Sequence, residues 1–146
     1  KITKAKTQMN AIIMAIKSYE STYGVLPNLN NETGDTILSN ENYDKLMQVL
    51  SKINMTSGTG SPNQKDIGNT RGIKFIDVDT KFPTEGLLDP WGKRFKMCID
   101  FDYDNKIDVM SFCNETINSS VAIYSFGANK TDNSGASTSD DVVSWR

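Results

Sequence analysis

The chain has 146 residues, no histidine and a formal net charge of −2. The missing histidine excludes the Ser-His-Asp and Cys-His nucleophile systems and histidine-ligated zinc, so we expect a protein that is not an enzyme. The acidic balance argues against nucleic-acid binding, which needs a basic surface. Only 37% of the residues are hydrophobic, which predicts a single domain over residues 1–146 with a small core and long polar loops.

Residues 1–24 are predicted to form one long helix. Apolar residues recur at spacings of three and four along it, and Gly24 followed by Pro27 is typical of a helix end. Three more apolar residues widen the stripe, and we expect this face to be partly exposed: Ala11, Met14 and Ala15. No capping signal opens the helix. It is either a helix whose N-terminal half precedes residue 1, or an ordinary amphipathic core helix with a frayed start.

Residues 28–86 are predicted to be an insertion of helix and loop. The second helix is expected from about Asn42 to Ile53, with Asn40 or Asn42 as its cap. The other predicted segments are a polar turn at 28–35, a surface loop at 55–69, a short extended piece at 72–78 and a loop at 82–88.

Residues 87–146 are predicted to form a small antiparallel sheet and a C-terminal loop. Two β-prone runs, 94–101 and 106–112, flank the turn residues 102–105 and predict a β-hairpin. A third strand is expected at 121–126. The predicted fold is therefore α+β, with the sheet packed on one face of the first helix.

The predicted hairpin carries the two cysteines of the chain, one on each arm. Folding about the turn would bring Cys98 and Cys113 near each other. A disulfide is one interpretation, provided that the compartment is oxidising. Two reduced, buried cysteines are the other.

The same region contains aspartates at the spacing of the first positions of an EF-hand loop: Asp100, Asp102, Asp104 and Asp108. The twelfth position would be Ser111 instead of glutamate, and the flanking residues alternate as strands do. We interpret these aspartates as the polar face and turn of the hairpin, with a cation site as the second interpretation.

The segment from Gly127 to Asp141 is a long loop with almost no apolar residues. Loops of this length without structure are usually functional or disordered. The paired carboxylates of Asp140 and Asp141, together with the amide of Asn129 and nearby backbone carbonyls, supply the hard oxygen atoms that Ca²⁺ prefers. A solvated acidic loop is the other interpretation.

Four segments of the sequence, taken in order, carry a resemblance to a known family. They are an apolar helix running into Tyr19, Tyr23-Gly24 and Pro27; the run Leu88-Asp89-Pro90-Trp91-Gly92-Lys93-Arg94-Phe95; the run Ile123-Tyr124-Ser125-Phe126-Gly127-Ala128-Asn129; and the run Asp140-Asp141-Val142-Val143-Ser144-Trp145. Together they resemble the major pseudopilin of bacterial type II secretion systems and its type IV pilin-like relatives. The resemblance covers residues 1–27 and 87–146.

The resemblance implies a non-catalytic subunit of a pilus-like fibre. Its partners would be copies of itself, other pseudopilins and inner-membrane secretion components. An apolar N-terminal half of the first helix, preceding residue 1, would anchor the protein in the inner membrane of a bacterial cell envelope. The domain would then lie in the periplasm or in the fibre.

The resemblance also implies Ca²⁺ in the C-terminal loop. By position, the ligands would be the backbone carbonyl of Phe126, the side chain of Asn129, and Asp140 and Asp141. Asn129 stands where the family often has aspartate, which keeps an oxygen ligand but removes a charge, so either the affinity for Ca²⁺ should fall or Asp132 must help. A surface adhesin or calcium-dependent binding module is the alternative function, and it would need no membrane helix upstream.

Overall fold

The computed structural model describes residues 1–29, 31–56, 68–109, 111–113, 115–129 and 141–145. Its helices are α1 (Ile2–Tyr23), α2 (Asn40–Ser51) and α3 (Phe82–Glu85), and its strands are β1 (Asp35–Ile37), β2 (Lys96–Asp100), β3 (Val121–Ser125) and β4 (Val142–Val143). The four strands form one antiparallel sheet in the order β1-β2-β3-β4. The α+β class predicted from the sequence is confirmed.

The chain divides into two compact units. The first, which contains the sheet, is made of residues 1–10, 33–38 and 88–146. The second, which contains α2 and α3, is made of residues 11–32 and 39–87. The long helix α1 therefore contributes residues to both units. The single domain predicted over residues 1–146 stays a prediction.

The sheet unit is built around β2 and β3. Every residue of β3 is buried, and only the first residue of β2 is not. Antiparallel pairing sets Cys98 opposite Ala122 and Met97 opposite Ile123. The buried cluster beside this pair contains Cys98, Ile107, Phe112, Cys113, Ile117, Ala122, Tyr124 and Val143, with Ile37, Val109, Phe126 and Trp145 packed against it.

The first turns of α1 pack in the sheet unit. Ala5 and Met9 are fully buried there. The Lys6 ammonium donates a hydrogen bond of 2.6 Å to the carbonyl of Val143 in β4, and the Gln8 amide donates one of 3.1 Å to the carbonyl of Leu88. Within this unit α1 is thus joined to β4 by a hydrogen bond, and its predicted packing on one face of the sheet stays a prediction.

The run from Asp89 to Gly92 forms a tight turn that one buried carboxylate organises. Asp89 Oδ1 accepts hydrogen bonds from the backbone N–H groups of Trp91, at 3.0 Å, and Lys93, at 2.8 Å. Its Oδ2 accepts a bond of 2.6 Å from the hydroxyl of Ser125 at the end of β3. Gly92 has a φ of 86°, which a residue without a Cβ adopts at low cost. The turn is therefore fixed to the sheet by hydrogen bonds to a charged group, which are stronger than neutral ones.

The second unit contains α2, which begins and ends close to its predicted limits. Ser39 is the N-cap, and its hydroxyl accepts a hydrogen bond of 3.2 Å from the Asn42 N–H. The predicted cap at Asn40 or Asn42 is therefore wrong. The helix ends at Lys52, which has a left-handed φ of 58°. Its apolar face is buried, as the helical spacing predicts: Tyr43, Leu46, Met47 and Leu50.

Two local predictions are wrong. The predicted turn at 28–35 contains the start of β1, which forms by pairing with the distant strand β2, and the predicted loop at 82–88 contains the short helix α3. Residues 72–78, predicted as a short extended piece, belong to no helix or strand of the sheet. The insertion at 28–86 therefore supplies a strand of the sheet as well as helix and loop.

The predicted hairpin between 94–101 and 106–112 is also wrong. Both edges of β2 are already occupied, one by β1 and the other by β3. Within the described part of 106–112, Ile107 instead forms an isolated antiparallel bridge with Ile117, with both backbone hydrogen bonds at 2.8 Å.

Candidate metal centre

Four aspartate side chains meet at one end of β1 and β2. Asp35 is the first residue of β1, Asp100 is the last residue of β2, and Asp102 and Asp104 lie in the turn that follows. One carboxylate oxygen from each residue lies within 4.8 Å of the other three.

Strand register and turn geometry together bring these side chains to one point. Asp35 lies directly opposite Asp100 in the antiparallel pairing of β1 with β2. In the turn, Tyr103 and Asn105 have left-handed φ values of 62° and 61°. Asparagine and aspartate tolerate this conformation better than most residues, whereas for tyrosine it is uncommon. The chain thus reverses sharply while successive aspartates face the same point.

Backbone N–H groups hold the carboxylates of the turn. The N–H of Asn105 donates to Asp100 Oδ2 at 2.7 Å, and the N–H of Lys106 donates to Asp104 Oδ1 at 3.0 Å. The N–H of Asp104 makes a longer bond of 3.4 Å to Asp102 Oδ1. These bonds use one oxygen of each carboxylate, which leaves its second oxygen for another ligand.

Asp100 is the most unusual member of the set. Its side chain is 0% exposed, and its Oδ1 atom has no hydrogen-bond partner among the described residues. Asp35 Oδ1 is likewise a buried atom with no such partner. No lysine or arginine in the described part of the chain forms an ion pair with any of the four carboxylates. A buried carboxylate oxygen without a partner is costly, and the four side chains form a group that could hold a metal ion.

Burial and neighbouring charge act together on Asp35. Burial raises the pKa of its carboxyl group above the ordinary value, and the charges of Asp102 and Asp104 raise it further. The hydrogen bond that Asp35 Oδ2 accepts from the N–H of Asp108 acts in the opposite direction. The site therefore disfavours negative charge on Asp35 as long as no cation is bound.

The structure brings together three of the four aspartates singled out by EF-hand spacing. The carboxylate of Asp108 is not part of the cluster, and only the backbone N–H of that residue takes part, as a donor to Asp35 Oδ2 at 3.3 Å. The fourth carboxylate comes from Asp35, which sequence reasoning missed. Its signal was the β-prone run Thr36-Ile37-Leu38 that follows it, but nothing in the sequence indicated the partner strand.

The residues predicted to bind Ca²⁺ in the C-terminal loop are only partly described. Phe126 is half-buried and packs against the sheet core, Asn129 is exposed, and Asp141 is half-buried. Asp132 and Asp140 lie outside the described residues. This second ligand set stays a prediction.

Cys98 and Cys113 both belong to the buried cluster of the sheet unit, and in the structure both are free thiols. The Cys113 thiol donates a hydrogen bond of 3.2 Å to the carbonyl of Glu115. Burial raises the pKa of the Cys98 thiol to about 12, with smaller contributions from the charges of Asp35, Cys113 and Asp100. The described state is the reduced alternative of the two that the sequence left open.

Comparison of the chain with protein-family models, curated proteins and solved structures finds no match. Among the described residues, no helix is both long enough and apolar enough to cross a membrane. We therefore infer the function from the geometry of the aspartate site and from the chemistry of the residues that form it.

Proposed function

We propose that the protein is a non-catalytic structural subunit that binds Ca²⁺ through Asp35, Asp100, Asp102 and Asp104. The observation that carries this proposal is the convergence of one carboxylate oxygen from each of four aspartates, one of which, Asp100, also has a buried Oδ1 atom without a hydrogen-bond partner. A hard divalent cation would give that oxygen a partner and neutralise the cluster.

The dimensions of the cluster favour Ca²⁺ over Mg²⁺. Two oxygens bound to one ion can be no farther apart than twice the metal–oxygen distance, which is about 4.6–5.2 Å for Ca²⁺ and about 4.1 Å for Mg²⁺. The four oxygens here lie within 4.8 Å of one another. A span of up to 4.8 Å is compatible with one calcium ion bound to all four oxygens and exceeds the span of one magnesium ion.

The turn also meets the conformational requirement of a calcium loop of the EF-hand type. In such loops the first, third and fifth positions supply side-chain oxygens, and the sixth makes a sharp turn. Asp100, Asp102 and Asp104 take the first three roles, and Asn105, with its φ of 61°, takes the fourth. The glutamate of the twelfth position is absent, and Asp35 supplies a carboxylate from the neighbouring strand instead.

Thermal melting in excess calcium and in chelator tests the proposal. For a dissociation constant of about 0.1 mM, 10 mM CaCl₂ would add about 2.7 kcal/mol to the free energy of unfolding. That corresponds to a rise in melting temperature on the order of 10 °C. MgCl₂ at the same concentration should give a much smaller shift.

Matched variants identify which carboxylates bind the ion. Asp102→Asn combined with Asp104→Asn should remove the calcium-dependent shift, while the exposed Asp77→Asn should keep it. Asp140→Ala combined with Asp141→Ala tests the C-terminal loop in the same assay. If the wild-type protein melts at the same temperature in calcium and in chelator, the calcium proposal is wrong. If only the second double variant loses the shift, the ion binds in the C-terminal loop.

A second proposal concerns assembly: the protein is a subunit of a pilus-like fibre in a bacterial cell envelope. It is supported by one face of α1, which exposes small uncharged residues and one large apolar residue: Thr3, Thr7, Asn10, Ala11, Met14, Ser18 and Ser21. Met14 is 67% exposed. Ala15, predicted to be exposed with them, is buried. Small side chains on a helix let another helix approach closely, as a fibre of packed helices requires.

The fibre proposal is tested on the protein together with the residues encoded before Lys1. About 20 apolar residues after a short basic leader would support it, and a secretory signal peptide or an unrelated domain there would contradict it. Met14→Asp should abolish fibres in electron micrographs of cells, whereas Ile73→Asp, at an exposed apolar residue outside α1, should not. Fibres formed equally well by both variants would refute the role of this face of α1 in assembly, and absence of fibres from cells with the wild-type protein would favour the adhesin alternative.

A further inference from the structure

We infer that the divalent cation controls the pairing of β1 with the sheet, so that β1 is bound in the presence of Ca²⁺ and released in its absence. This inference rests on the calcium site proposed above. It adds a regulatory consequence that calcium binding alone does not require.

The pairing of β1 has little to stabilise it. The strand has three residues, none fully buried, and it lies at the edge of the sheet. Ile37 packs against the buried cluster, and the Leu38 N–H donates a hydrogen bond of 3.0 Å to the carbonyl of Met97. Beyond these contacts the strand pairs with β2 over three residues only, and a short edge strand of this kind is among the first elements of a sheet to open.

The first residue pair of this strand works against the pairing. Asp35 and Asp100 lie directly opposite each other, and like charges in that relation destabilise an antiparallel pair. Asp102 and Asp104 add negative charge at the same point, and no lysine or arginine in the described ranges offsets it by an ion pair. The like-charge pair therefore falls on a three-residue strand at the edge of the sheet.

A cation bound by ligands from both strands would replace the repulsion between the carboxylates with attraction of each carboxylate to the ion. One ligand, Asp35, comes from β1, and the other three come from the end of β2 and its turn. The complete ligand set exists only while the two strands are paired. By mass action the ion then stabilises the paired state over the open one, as metals do wherever folding completes their ligand set.

Hydrogen exchange at single amides measures the pairing directly. The reporter is the Leu38 amide, which is bonded to Met97 O across the two strands, and the reference is the Ile117 amide, bonded to Ile107 O at 2.8 Å. In the wild-type protein, replacing 10 mM CaCl₂ by EGTA should accelerate exchange at Leu38 at least tenfold. Exchange at Ile117 should change less than twofold.

Asp35→Asn separates the repulsion from the ion. The amide oxygen can still accept the hydrogen bond from the Asp108 N–H, but the like-charge pair is gone. Leu38 should then remain protected in EGTA, and calcium should change its exchange less than twofold. The control Asp77→Asn removes the same charge at an exposed position and should behave as the wild type does.

Calorimetric titration with CaCl₂ on the same samples distinguishes failure of the calcium site from failure of the control of β1. If the protein binds calcium but exchange at Leu38 is equal in calcium and in chelator, the control of β1 is refuted and the calcium site stands. If no binding is detected at millimolar calcium, the proposed site and the inference built on it are both refuted. If the Leu38 amide exchanges equally fast in EGTA in the Asp35→Asn and wild-type proteins, the role of the like-charge pair is also refuted.

Discussion

Asp100→Asn provides the sharpest test of the metal centre, because it should change stability in opposite directions with and without calcium. Asp100 is fully buried, and the nearest oxygens of Asp35 and Asp100 are no more than 4.8 Å apart. At that distance two like charges repel by about 1 kcal/mol in water and by about 3.5 kcal/mol at an effective dielectric constant near 20. Asparagine removes this repulsion while keeping the shape of the side chain.

Part of the gain is lost in the hydrogen bond that Asp100 accepts. The N–H of Asn105 donates to a carboxylate oxygen at 2.7 Å, and an amide oxygen is a weaker acceptor by about 0.5–1.5 kcal/mol. In EGTA the variant should therefore be more stable than the wild type by about 0.5–2 kcal/mol. In 10 mM CaCl₂ the wild type should gain about 2.7 kcal/mol and the variant almost nothing, so their order reverses.

Urea denaturation followed by tryptophan fluorescence measures both differences. Trp145 packs edge-to-face on Tyr124 and close to Phe112, so its emission reports on the core of the sheet unit. Asp102→Asn is the matched comparison, because Asp102 is exposed and its charge is screened by water. That variant should lose the calcium gain but stay within about 0.5 kcal/mol of the wild type in EGTA. A variant at Asp100 that is less stable than the wild type by the same amount in both buffers would refute the argument.

Four further predictions concern other residues of the sheet unit. Asp89→Ala should lower the free energy of unfolding by about 3–5 kcal/mol, because three hydrogen-bond donors lose a charged partner. Ser125→Ala removes only one of those donors and should lower it by about 1–2 kcal/mol. Equal urea midpoints for the two variants would contradict this expectation. Iodoacetamide at pH 8 should label neither Cys98 nor Cys113 in the native protein and both in urea without reductant; failure to label in urea would mean a disulfide. The pKa of Cys98 is raised from 9.0 to about 12, so its contribution to the free energy of unfolding is complete below pH 9. Above pH 9 this contribution falls by up to about 1.4 kcal/mol per pH unit. Cys98→Ala should therefore flatten the profile of urea midpoints above pH 9. Asp108→Asn should keep the affinity for calcium within about twofold in a calorimetric titration, because the Asp108 carboxylate lies outside the cluster. A larger loss of affinity would mean that Asp108 is a calcium ligand, as the EF-hand spacing in the sequence indicates.

The sequence predicts best those elements whose stabilising contacts are local or periodic. The helix α1 was predicted over nearly its full length because its apolar residues repeat at helical spacing for six turns. The strands β2 and β3 were predicted from runs of apolar and β-branched residues that become fully buried. These patterns depend on residues close together in the chain, where a sequence carries most of its information.

Prediction failed where two distant segments had to meet. Nothing in Asp35-Thr36-Ile37 indicates that it would pair with β2, so the strand and the fourth carboxylate of the site were missed together. The same omission produced the false hairpin, because the edge of β2 assigned to residues 106–112 belongs to other strands. The spacing of Asp100, Asp102 and Asp104 was visible, but the burial of Asp100 that gives the cluster its chemistry depends on the folded sheet.

The position of β1 in the chain also has a consequence for the order of folding. The hydrogen bond between the Asp108 N–H and Asp35 joins residues 73 positions apart, so forming it closes a long loop for a strand of three residues. Contacts that close long loops for little burial form late, after the transition state. Calcium bound at that contact should therefore slow the unfolding of the sheet unit and leave its folding rate nearly unchanged. In this protein the ion would lengthen the lifetime of the folded sheet and have very little effect on its folding rate.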